Sequence, residues 1–162
     1  MKYLLILSIL LFSKFSYGTG QVPDYLIYKG DTIAIFSNPL EKYFEKIGKR
    51  DLINFVGCGS TACWRGYKAI WKLKDDRLYL VKITSCHKSC GLEIKDADLK
   101  KMFGTKNVFA DWFTGKLIVP QGERVQYIHM GYASIYEKEL HISFKDGIKA
   151  KEKTISNEKI TN

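Results

Sequence analysis

Four pairs of turn-forming residues divide this 162-residue chain, and they restrict its fold more than any other feature. Lys29-Gly30 separates two apolar, β-prone runs in "DYLIYKGDTIAIF", residues 24–36. Asp75-Asp76 sits the same way in "YKAIWKLKDDRLYLVKI" (67–83), Thr114-Gly115 in "NVFADWFTGKLIVP" (107–120) and Asp146-Gly147 in "ELHISFKDGIKAKEKTI" (139–155). A two-residue loop that suits the twist of its strands needs positive φ, which Gly accepts freely and Asp tolerates. Each pair therefore predicts a hairpin. Helices interrupt the strands twice. In "NPLEKYFEKIGK", Asn38 stands at the cap, Pro39 at the first helical position, Glu41 at the third and Gly48 at the stop. "DADLKKMFG" predicts a shorter helix from Asp96 to Gly104. With no internal repeat or low-complexity linker, the expected class is α+β: a single domain of antiparallel β-hairpins with two short helices. It is expected to span 19–155, with 156–162 as a flexible C-terminal tail.

The first residues set the compartment. "MKYLLILSILLFSKFSYGTG" places Lys2 before an unbroken apolar run at 3–12, followed by Ser16-Tyr17-Gly18. A basic start, a short apolar stretch and small residues at −3 and −1 are the layout of a secretory signal peptide, with cleavage expected after Gly18. The run falls short of the roughly 20 apolar residues that a membrane-spanning helix needs. Residues 1–18 are thus expected to be removed, leaving a secreted or periplasmic protein with no later membrane span.

Export also bears on partners. The whole chain carries Lys+Arg 26 against Asp+Glu 17, a formal charge of +9. Loss of Lys2 and Lys14 lowers this to about +7, a balance that suits an acidic exported protein or an anionic envelope polymer. The lysines are scattered, and in "KDGIKAKEKTISNEK" acidic residues are interleaved, which reads as a solvated face. No nucleic-acid module signature is present, so nucleic acid is not an expected partner. No cofactor motif appears either.

The four cysteines fall into two groups, "GCGSTACWRGY" (57–67) and "SCHKSC" (85–90). Cys58, Cys63, Cys86 and Cys90 allow three roles: disulfides, a zinc cage, or a nucleophile. The C-x4-C and C-x3-C spacings only approximate zinc-site spacing. An oxidising compartment favours disulfides. The hairpin around Asp75-Asp76 supports this, because residues opposed across it have numbers summing to about 151, and Cys63 with Cys86 comes close. Nested bridges 63–86 and 58–90 fit this register; crossed and local pairings remain open. "CGSTACW" resembles the "CGSCW" signature of papain-type peptidases with two residues inserted. Such a nucleophile must open a helix, whereas Cys63 precedes a strand with Tyr67, Ala69, Trp71 and Leu73 on one face.

Other chemistry-bearing residues lie in "ADWFTGKLIVPQGERVQYIHMGYASIYEKELHISF". A strand over 136–144 puts Leu140, Ile142 and Phe144 on one face and Glu137, Glu139 and His141 on the other. That second set reads as the wet face of a half-buried sheet. His129 with Asp111 or Glu137 is the acid/base combination a hydrolase of envelope material would use. Aromatics are 14% of the chain, and most alternate along strands as core. Trp64, Tyr67 and Tyr132 stand in loop-like contexts, with Arg65 beside the cysteines as a polar anchor. These four form the expected recognition surface.

"NPLEKYF", "ACWRGYKAIWKLKDDRLYLVKI" and "VFADWFTGKLIVPQGERVQYIHMGYASIYEKELHISF" together resemble a group of small, uncharacterised exported domains of bacteria. The resemblance implies a compact exported domain and no particular activity. The leading expectation is a disulfide-stabilised binding or interaction protein, immunity- or inhibitor-like in size, without cofactor or metal. The alternatives are the envelope hydrolase and a module stabilised by zinc on the four cysteines.

Overall fold

Three of the four turn pairs close hairpins as expected. The computed structural model of the chain describes residues 20–49, 60–86, 94–128 and 130–157. Strands β1 (Asp24–Tyr28) and β2 (Asp31–Ile35) meet at Lys29-Gly30, where φ is +53° and +95°. Strands β3 (Tyr67–Lys74) and β4 (Arg77–Ser85) meet at Asp75-Asp76, with φ of +51° and +58°. Strands β7 (Ile135–Lys145) and β8 (Ile148–Ser156) meet at Asp146-Gly147. Gly147 is required there twice over. Its φ is +75°, and a Cβ would lie 2.5 Å from the Ala110 carbonyl oxygen.

Thr114-Gly115 is not a hairpin turn. The short strand β5 (Val108–Phe109) before it pairs with β4, while Gly115 opens β6 (Gly115–Gln126), which pairs with β7. Thr114 instead braces a neighbouring turn. Its Oγ1 donates to Asp146 Oδ1 (3.1 Å) and accepts from the Asp146 N–H (3.0 Å). A turn-like dipeptide marks a break in the chain, but the partner of the next strand depends on which edge is open.

The expected α+β class holds in part: the domain is more β-rich than that class implies, and its sheet is mixed rather than purely antiparallel. The described residues are mostly β, with eight strands in one mixed sheet and two short helices. The order is β2-β1-β3-β4-β8-β7-β6, with β5 attached to β4. β1 and β3 run parallel, since the chain between them returns through helix α1 (Pro39–Ile47) rather than through a tight turn. The sheet then curls until its ends meet. Just past β2, Phe36 N–H donates to Ile118 O of β6 (2.7 Å), and Ile118 N–H donates to Ser37 Oγ (3.2 Å).

This curl encloses the core. Tyr67, Ala69 and Trp71 of β3 point inward at every second position and are fully buried, with Leu73 partly buried against them. In β4 the inward set is Leu78, Leu80 and Ile83, three residues apart at the last step, because a bulge shifts the β3–β4 register there. α1 closes one side with Leu40 and Phe44, four residues apart on one face, and ends at Gly48 in the left-handed conformation. The second helix, α2 (Leu99–Phe103), is shorter than the expected Asp96–Gly104. Asp98, not Asp96, caps it by accepting from the Lys101 N–H (3.1 Å). β8 runs to Ser156, and Asn157 N–H donates to Glu137 O (2.9 Å). The expected signal segment 1–18, Cys58, Cys90, His129 and residues 158–162 lie outside the described residues.

Candidate functional site

The loop ahead of β3 is held from several directions. Cys63 and Cys86 form a disulfide, Cα–Cα 6.4 Å, just beyond the open end of the β3–β4 hairpin where Tyr67 faces Ser85. With those two sulfurs joined, a zinc cage of four thiolates is not formed. Cys86 N–H donates to Gly66 O (3.1 Å), and Val22 N–H donates to Ala62 O (2.7 Å). Between these anchors the chain alternates. Trp64 is 54% exposed, while Arg65 has no accessible surface at all.

Arg65 turns inward to a buried carboxylate. One guanidinium nitrogen, Nη2, donates to Asp24 Oδ1 (3.2 Å) and to Val22 O (3.0 Å); Nη1 donates to Tyr132 Oη (2.9 Å). Asp24 is also fully buried and accepts from the Ala69 N–H (3.0 Å) and from Trp71 Nε1 (3.2 Å). Burial pushes the Asp24 carboxyl up to about 6, against the opposing pull of Arg65 and the Ala69 and Trp71 hydrogen bonds. Burial also works against the Arg65 charge, but Asp24, Tyr132 and Tyr67 together outweigh it and hold the guanidinium above its ordinary value. The Arg65 guanidinium further lies 5.5 Å from the Tyr67 ring centroid.

Two tyrosines extend the cluster to α1. Tyr67 Oη donates to Glu41 Oε1, and burial together with the charges of Asp24 and Glu41 raises its phenol. Tyr132, raised chiefly by burial, directs its hydroxyl at Val22 O (2.9 Å) and Asn38 Oδ1 (3.1 Å) and stacks on Phe36 at 5.1 Å. The capping signature of α1 is thus redirected. Asn38 makes no side-chain cap hydrogen bond, and both Asn38 and Glu41 face the cluster. One network joins β1, the Cys63–Gly66 loop, β3, the start of α1 and the loop before β7.

The expected recognition surface changes accordingly. Trp64 is exposed and Tyr132 half-buried, but Arg65 and Tyr67 are interior, so they cannot present side chains to a partner. Their positions explain this: Arg65, Tyr67, Ala69 and Trp71 share one parity, and the core takes that parity. Asp24 escaped notice in the sequence, although it is in phase with Leu26 and both are fully buried. A carboxylate and a guanidinium each in register with core positions was the available signal. Met130, two residues before Tyr132, is 70% exposed, and the Arg65–Tyr132 bond ties its loop to the one that carries Trp64.

Asp111 and Glu137, the two alternative carboxylates, lie apart. Asp111 is exposed in the turn where Phe113 N–H donates to Ala110 O, beside Gly147. Glu137 lies toward the other end of β7 and accepts from the Glu123 N–H (3.2 Å), seated against Gly122. The stretch of β7 from Phe144 to Glu137 alone spans about 23 Å at about 3.3 Å per residue. On the outer face Glu139 Oε2 and His141 Nε2 are 2.8 Å apart, and His129 lies outside the described residues. Among the described residues no group of three His, Cys, Asp or Glu side chains is placed to hold a metal ion, and no helix is long and apolar enough to cross a membrane.

No family model matches the chain, and neither a curated protein nor a solved structure matches it.

Proposed function

We propose that this is an exported, disulfide-stabilised binding domain that recognises another exported protein, in the manner of an immunity or inhibitor protein, through a rim centred on Trp64. The observation that carries the reading is the contrast between neighbours: Trp64 is 54% exposed between Cys63 and Arg65, both of which are fully buried. A large indole kept in water on a loop anchored by a disulfide and an ion pair loses little entropy when it binds. Trp is also the residue type that most often dominates binding energy. Met130 supplies adaptable apolar surface on the loop that Tyr132 bonds to Arg65. The basic, apolar start of the chain and the Cys63–Cys86 bridge both suit an oxidising compartment outside the cytosol.

The test is affinity capture from an envelope extract with the disulfide-bonded protein and its Trp64→Ala variant, with thermal unfolding of both measured in parallel. A protein retained by the wild type and lost by a variant of equal melting temperature is the expected result. Equal capture by both forms removes Trp64 from the reading. Capture abolished by digestion of envelope polysaccharide assigns the surface to a polymer instead.

A further inference from the structure

Among the described residues, β8 has a second edge that no strand covers along most of its length. Along one side it pairs with β7 over its whole length, from Lys138↔Ser156 to Lys145↔Ile148. Along the other it touches β4 only at Arg77↔Ile148, and the last main-chain bond is Lys149 N–H to Asp76 O (2.7 Å). The strand that would continue beside it is already taken. β4 pairs with β5 at Tyr79↔Phe109 and Leu80↔Val108, and then with residues 95–97 through Ser85 N–H to Lys95 O and Ala97 N–H to Ile83 O. Ala150 to Ser156 therefore has no strand partner on that side among the described residues. That is about 20 Å of main chain at about 3.3 Å per residue.

An open edge of this length is a template for another strand. Its side chains select which one. Lys151 and Lys153 are exposed on the outer face, opposite Ser143 and His141, while Glu152 and Thr154 lie on the side of buried Ile142 and Leu140. A second copy of β8 would set lysines against lysines, an unfavourable cross-strand pairing. A strand with acidic residues at alternate positions would set carboxylates against them. We infer that the edge of β8 from Ala150 to Ser156 docks an extended acidic segment of another protein, which joins the sheet by main-chain pairing and is selected by Lys151 and Lys153. This surface is separate from the Trp64 rim and stands without it.

The probe is a capped synthetic peptide of alternating glutamate and valine, tested on the full disulfide-bonded chain by fluorescence anisotropy at two salt concentrations. Its alternately N-methylated form and a lysine-for-glutamate form are the controls. Binding that weakens with salt, falls about ten-fold or more on N-methylation and falls similarly in Lys151→Glu/Lys153→Glu is expected. Trp64→Ala leaves it unchanged. No binding, or equal binding of the N-methylated peptide, overturns the proposal, the latter by reducing it to charge attraction. The N-methylated arm reads main-chain pairing on the unaltered protein, so it decides even where the double variant folds poorly. A dimer in sedimentation that excludes the peptide also overturns it, by giving the edge to a second copy.

Discussion

Asp24 and Glu152 are both carboxylates paired with a cation and an aromatic side chain, yet their acidities move in opposite directions. Asp24 has no accessible surface, and burial raises its carboxyl to about 6 despite Arg65 beside it. The Glu152 side chain is 27% exposed at the sheet surface. The Tyr28 hydroxyl, donating at 2.6 Å, lowers its carboxyl against a smaller burial effect, with Lys29 and Lys149 adding to the shift. Water makes the difference. At the sheet edge the carboxylate keeps part of its hydration and gains a donor; inside, three side-chain and main-chain donors do not replace what burial removes. The interior pair therefore works as a geometric device that fixes the Cys63–Gly66 loop, and the surface cluster as a weak tie between the β1–β2 turn and β8.

That contrast breaks most sharply at Arg65. Arg65→Met leaves Asp24 buried without its cation and is expected to cost about 3–5 kcal/mol at pH 7, read from urea unfolding. The loss should shrink near pH 5, where the carboxyl is neutral. A loss below about 1 kcal/mol would place Arg65 with the surface pairs. Next in size, Cys63→Ser with Cys86→Ser should lower stability by about 3 kcal/mol, the cross-link closing a separation of 23 residues. Reduction of the wild type should match it.

pH dependence sharpens the comparison through its sign. The folded-state value of Asp24, about 6, exceeds its ordinary 3.8, so between these values the folded state holds a proton that the unfolded state has released. Its contribution is complete below 3.8 and lost as pH rises through 6. Stability should thus rise by on the order of 2–3 kcal/mol as pH falls from 7 to 4, and Asp24→Asn should flatten that slope. Glu152 runs the other way. Its contribution is present at neutral pH and lost as pH falls through its lowered value. Glu152→Gln should cost under about 1 kcal/mol and vanish in high salt. A larger, salt-independent loss would show that the surface cluster is as dry as the interior one.

Much of the fold was legible locally. The turns at Lys29-Gly30, Asp75-Asp76 and Asp146-Gly147 need positive φ from residues that tolerate it, and they formed where those residues stand. The alternation of Leu140, Ile142 and Phe144 placed β7 facing the core, with Glu137, Glu139 and His141 turned the other way. Less of the site was legible. Trp64 is exposed as expected, but Arg65 and Tyr67 are buried: strand parity puts them in the core, against the expectation from charge and a neighbouring loop. Thr114-Gly115 misled for a related reason: a break in the chain carries no record of which strand lies alongside the next one.

The sequence by itself determined what a few neighbouring residues can decide: three hairpin positions, the inward faces of β3 and β7, the start of α1 at Pro39 and its stop at Gly48, and the hairpin that carries Cys63 toward Cys86. Only the tertiary structure decided the parallel β1–β3 pairing, the attachment of β5 to β4, the curl that joins β2 to β6, and the pairing of Asp24 with Arg65 forty-one positions away. The physical reason is range. A turn or an alternating face lowers the energy of a short segment whatever surrounds it, whereas strand order and a buried charge pair depend on the whole sheet closing over its apolar side.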